Sequence, residues 1–339
     1  MKGLKKLALA TAVASIPFAA QAELKALDDS MMGNVTGQNG ITIELEAEVG
    51  IGEIAYEDAG FLAISDVKIG GANDPLTGTG GTNGALDDVA LYIDVAGSSG
   101  AGDTAQASIG MGNSYLVGAD TNKPNVTWTN TETGTGGTAS YEADMPEVQN
   151  GDLVIGIRSV SGVPVDFGVS IGAVSLAKQG STVGNLDAER RANGGTSTTL
   201  VSDLDISGLL GPIDIVIQED QNALNVNAYF NANGSLNADF IGTYMDFKLH
   251  NSRGDDTNGL TIVDASGTPI VDTSFAHAQV DLGTATNNAG NDALAFNINN
   301  FSGDLDLENI RMGSSTAASI GNVYMTDLDI SAKMTVYGH

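Results

Sequence analysis

Few residues in this chain are of a type that does chemistry, and their spacing narrows the options further. Histidines stand at His250, His277 and His339. Each reads as a strand or surface histidine rather than a general base, since none has a nucleophile or partner acid at a diagnostic spacing. Gly168-Val169-Ser170-Ile171-Gly172 matches the G-x-S-x-G nucleophile pattern. That pattern requires a strand, a sharp turn at the serine and a helix, whereas Ser170 lies within an alternating run with no helical pattern after it. Arg253-Gly254-Asp255 spells an integrin-type tripeptide in an expected loop, in a chain rich enough in Gly and Asp to produce it by chance. The one ion these residues suit is calcium. Adjacent carboxylates in Gly/Asn loops, Asp87 with Asp88 and Asp255 with Asp256, offer hard oxygen ligands on pliable backbone. The competing reading is a solvated acidic loop, because neither an EF-hand nor a glycine-rich calcium repeat is present. No catalytic residue is assigned, and the expectation is a protein that is not an enzyme.

The elements that would carry these residues are strands. From Ile41 the odd positions run Ile41, Ile43, Leu45, Ala47, Val49 and Ile51, and the residues between are Thr42, Glu44, Glu46, Glu48 and Gly50. One face is apolar and the other acidic, the period-2 signature of a strand. The same alternation returns in Val89–Val95, Val163–Ile171, Ile213–Ile217, Leu224–Phe230, Leu236–Phe240, Leu294–Ile298 and Met334–Val336. Asn233-Gly234 between two such runs predicts a hairpin turn. A loose repeat, x-S/T-D-L/V-x-I, occurs at Ile64–Ile69, Val201–Ile206 and Met325–Ile330, with a weaker copy at Ser302–Leu307. Its irregular spacing argues against a solenoid and for similar strands in one extended sheet. The fold class expected is all-β: a curved antiparallel sheet system, sandwich or half-barrel, with one short N-terminal helix marked by Leu24, Leu27 and Met31.

Composition sets outer limits. The 339 residues hold 14 Lys plus Arg against 42 Asp plus Glu, a formal charge of -28, and no Cys. Nucleic acid is excluded as a partner by the missing basic surface. Disulfide scaffolds and thiolate metal sites are excluded outright. Lys2, Lys5 and Lys6, the apolar run Leu7–Ala20 and Ala20-Gln21-Ala22 read as a signal peptide over residues 1–22, so the mature chain is expected to start at Glu23 and to be exported. No later run is long enough for a transmembrane helix. Residues 23–40 then carry the helix, and 41–339 a single long β-domain with Gly/Asn/Asp-rich loops.

Residues 24–41 contain Leu24-Lys25-Ala26-Leu27-Asp28-Asp29, then Met31, Val35-Thr36-Gly37-Gln38 and Gly40-Ile41. The stretch resembles the L-x-A-L-D-D-x-x-L/M-x-x-V-T-G-Q-x-G-I opening of exported gammaproteobacterial proteins labelled pilus-system FilA-like. The end, Ile320–Ile330 through Thr335–His339, is similar to that family's close. The resemblance implies a compartment and a fold type, with a link to a pilus system, and brings no catalytic residue. Two functions follow as expectations: a structural or adhesive cell-surface or extracellular protein whose partners are other surface or pilus proteins, or a carrier of an apolar ligand such as lipid in a curved sheet. A third, an outer-membrane barrel, lacks paired aromatic girdles, with one Trp, 8 Tyr and 9 Phe in all.

Overall fold

The computed structural model describes residues 40–58, 60–72, 81–96, 125–130, 148–178, 197–218, 222–255, 257–263, 266–287 and 289–337. Gly40–His339 form one compact unit, separate from residues 1–39. The expected signal peptide and helix, Asp256 and His339 lie outside the described residues. The Gly40–His339 unit is all-β. Its strands are β1 (Ile41–Ala47), β2 (Val49–Glu57), β3 (Gly60–Gly70), β4 (Leu86–Val95), β5 (Asn125–Asn130), β6 (Leu153–Ser159), β7 (Val165–Lys178), β8 (Ser197–Gln218), β9 (Ala223–Phe230), β10 (Ala232–Ala238), β11 (Thr243–His250), β12 (Asn258–Val263), β13 (Pro269–Ser274), β14 (Ala276–Thr286), β15 (Asp292–Met312), β16 (Gly321–Asp329) and β17 (Ala332–Val336).

Fourteen strands form one antiparallel sheet, and β13-β12-β5 form a small second one. The large sheet is a meander of long runs, each crossing two regions here called wings. Two strands, β8 and β15, cross both wings unbroken. Wing one holds β2-β3-β7, the first half of β8, β10-β11, the second half of β15, and β16. Wing two holds β1-β4-β6, the second half of β8, β9-β14, the first half of β15, and β17.

Bulges keep one face consistent across both wings. In β8 the apolar positions are even in Leu204 and Ile206 and odd in Ile213, Ile215 and Ile217; a register shift between Leu210 and Ile213 absorbs the change. In β15, Phe296 and Ile298 give way to Phe301 and Leu307 across a shift in its pairing with β14, between Gln279 and Val280 of that strand. An extra residue moves the pleat by one step, so these aliphatic side chains stay on one side of the sheet.

The repeat read from the sequence has the same origin. Asp66, Asp203 and Asp327, its central aspartates, have φ of 53°, 46° and 52°. The motif therefore marks left-handed kinks within strands of wing one, and Asp203 and Asp327 sit at register shifts. Aspartate is among the few residues that tolerate this conformation.

The hairpin expected at Asn233-Gly234 is a misreading. Both residues lie inside β10 with no positive φ. β9 and β10 run end to end, with β9 pairing β8 and β14, and β10 pairing β8 and β11. Gly234 is required for close approach: a Cβ there would meet the carbonyl oxygen of Asp205, and the Phe247 ring closes over the position.

Candidate functional site

The sheet's two faces divide the chemistry, and not in the usual way. In wing two a single cross-strand row reads Ile41–Ile93–Ile155–Ile215–Val226–Val280–Ile298–Ala332, one aliphatic residue from each of eight strands. In wing one a second row reads Val49–Ile69–Val169–Ile206–Gly234–Phe247–Leu307–Val323. None of the apolar side chains in either row is buried; most inner ones and Ala332 are half-buried, and Ile41, Val49, Ile69 and Val323 are exposed, with Ile41 at 59% and Val323 at 46%. At about 4.8 Å per strand, each row is an apolar track about 34 Å long.

The opposite face is buried in the middle strands, where the apolar cluster of Ala96, Val154 and Val216 lies among polar groups. Arg158 on β6 and Asp214 on β8 are paired at 2.5 Å with both side chains inaccessible to solvent. The Arg158 guanidinium also donates to the carbonyls of Ile157 and Ile213. On β9 and β14, the His277 Nε2–H donates to Asn227 Oδ1 at 2.5 Å, and the imidazole stacks on Tyr229 with centroids 4.3 Å apart. Gln218 donates to Asp152. These groups hold one another. Ser170 lies in mid-strand on β7, as its alternation implies.

The expected calcium residues are placed apart from any such site. Asp88 takes a left-handed φ of 58° beside a register shift, and its carboxylate accepts from Ser159 Oγ, Ser161 N and Ser161 Oγ at 2.8, 2.7 and 2.6 Å. It therefore ties β4 to the turn after β6. Asp87 is exposed beside it, in an open groove that also includes Glu44, Glu46 and Val160. Asp255 donates its backbone N–H to Asp327 Oδ1. Among the described residues no group of three His, Asp or Glu side chains could hold a metal ion.

The Arg253-Gly254-Asp255 tripeptide is folded back on the sheet. The Arg253 guanidinium grips Asp306 through two contacts of 3.1 and 2.5 Å, donates to Thr326 and the Met325 carbonyl, and lies over the Tyr324 ring. Asp304 accepts from the backbone of Ser252, Arg253 and Asp327. Beneath them the His250 Nε2–H donates to Asp306, and Nδ1 accepts from Ser252 Oγ. Burial pushes His250 below its ordinary value despite the raising pull of Asp306 and Asp304, so the ring is neutral. Burial would raise Asp306, but hydrogen bonds from Arg253 and His250 outweigh it and hold its carboxyl below the usual range. The cluster fastens the loop after β11 to β15 and β16, and the arginine is committed to that task.

Sequence reasoning missed the buried polar groups. Their only signal was a lone Arg158 between Ile157 and Ser159, and Asp214 between Ile213 and Ile215, each interrupting an aliphatic run. Residues 1–97, which extend through β4, match a family of unknown function, DUF6160. No curated protein and no solved structure matches the chain.

Proposed function

We propose that this chain is an exported, non-enzymatic β-sheet protein that binds an apolar ligand of the acyl-chain class along its aliphatic face. One observation carries the reading: the apolar side chains of two eight-strand rows remain unburied while the face behind them, with its Ala96, Val154 and Val216 cluster and its buried polar groups, is closed. Water contact with so much aliphatic surface is costly, and each methylene of a ligand laid on it would gain about 0.8 kcal/mol. A track of this length accommodates an extended acyl chain, and its few polar groups suit a ligand chosen by shape and greasiness. Calcium has no part in the binding step, so chelation should leave ligand capture unchanged.

The test is organic extraction of the purified exported protein followed by mass spectrometry. Acyl lipid at near-stoichiometric yield is expected. Lipid-free protein that also fails to bind a fluorescent fatty acid would refute the carrier role.

A second reading, a structural or adhesive surface protein linked to a pilus system, is favoured by the exposed strands at both margins of the sheet. A deletion strain with unchanged surface fibres and adhesion would count against it. Fractionation tests export for both readings.

A further inference from the structure

We propose that copies of this chain join head to tail, with β1–β2 of one copy adding to β16–β17 of the next and continuing the antiparallel sheet. The inference is independent of the ligand reading. Four observations support it.

First, these two margins pair on one side only among the described residues, and both are exposed along nearly their whole length. Second, their directions are complementary. The run β1–β2 passes from wing two to wing one, and β16–β17 passes from wing one to wing two. A second copy in the same orientation therefore meets the first antiparallel, with β1 beside β17 and β2 beside β16.

Third, the registers agree. The row containing Ile43 crosses the sheet and ends at Phe301, which exchanges backbone hydrogen bonds with Ile330. Extending the rows places Ile43 opposite Ile330, Ile41 opposite Ala332 and Val49 opposite Val323. Six steps separate 43 from 49, and seven separate 323 from 330. The extra residue belongs to the bulge at Asp327, whose φ is 52°. Two residues facing one is the count a bulge produces. Fourth, the β1–β2 edge contains neither Pro nor Lys, although the opposite edge carries Lys333 and the bulge at Asp327.

Such a contact is heterologous, so it yields rings or open filaments rather than symmetric dimers. It also sets Glu44 opposite Asp329. Like charges facing across a ladder weaken it, so association should strengthen as salt rises.

The chain has no cysteine, which makes crosslinking clean. The full chain carrying Ile43→Cys and Ile330→Cys together is oxidised at low and high salt, and products are resolved on non-reducing gels. Each single variant is oxidised alone and mixed with the other, and circular dichroism checks that the sheet is retained. The proposal expects a covalent ladder from the double variant, growing with salt, and a dimer from the mixture but from neither single variant. Four results would overturn it. One is a dimer from a single variant, which means a symmetric contact. Another is a fast-migrating monomer from the double variant, which means closure of one chain into a barrel. The third is absence of crosslinks in folded protein, which leaves the margins to residues 1–39 or to an unrelated partner. The fourth is crosslinking that does not grow with salt. The pair Val49→Cys with Val323→Cys repeats the test in the other wing if the first substitutions prevent folding.

Discussion

At the residue scale, the pair formed by Arg158 and Asp214 is the most consequential contact in the sheet. Both side chains are inaccessible to solvent. Removing one partner breaks a buried ion pair, at a cost of about 3–5 kcal/mol. Arg158→Met or Asp214→Leu alone should therefore lower the urea midpoint sharply, and the double variant should recover much of the loss. Additive losses in the double-mutant cycle would contradict the pairing. His250 gives a pH signature. Its folded value is depressed below 6.5, so its contribution is complete above that pH. It is lost as pH falls, because the unfolded chain takes the proton first. Asp306, also depressed, adds a loss of the same sign at more acid pH, as pH falls below 3.8 toward its folded value. Urea midpoints measured between about pH 7.5 and about pH 5.5 should fall, and fall less in His250→Asn. An identical slope in the variant would show that this histidine is not the titrating group. Alternation told where Asp214 points, but a pattern of faces cannot say which face another segment covers.

Elements were the most legible level. Strands at Ile41, Val89, Ile213 and Leu294 follow from period-2 runs of β-branched residues, which the pleated surface favours. One feature misled, because local turn chemistry was read without cross-strand geometry. Asn233-Gly234 is a turn signal in isolation, yet here glycine lets the Asp205 carbonyl approach and gives Phe247 a place to lie. Gly234→Ala should destabilise the protein well beyond ordinary strand propensity, because the added carbon meets backbone. A thermal midpoint equal to wild type would contradict this close approach. The repeated aspartates are kinks, and substitution separates that role from a ligand role. Asp203→Gly should be tolerated, whereas Asp203→Val should cost about 1–2 kcal/mol through left-handed backbone strain. Equal stability of the two variants by urea denaturation would argue against the kink. Asp88 belongs to the same class. Sequence shows Asp87 and Asp88 as neighbouring carboxylates, and the structure adds the Ser159 and Ser161 donors to Asp88.

At the scale of the whole molecule, the question is what covers eight strands of aliphatic side chains. Composition set an acidic, cysteine-free chain, and alternation pointed to a sheet with one apolar face. Neither could say that the side of the middle strands opposite those rows is the enclosed one, since that depends on which segments pack where. Val226, at the centre of the wing-two row, is half-buried, whereas its neighbour Asn227 on the other face is 3% exposed. Val226→Lys should therefore fold and lose fatty-acid binding, and full binding by this variant would move the ligand elsewhere. The most direct measurement places a nitroxide label on Val226→Cys in this cysteine-free chain and follows its accessibility to dissolved oxygen and to a water-soluble relaxant. The label should be reachable in ligand-free protein and become shielded from the water-soluble relaxant when fatty acid is added. A label sealed from both before and after would mean that this face is a closed core, and the account would fail.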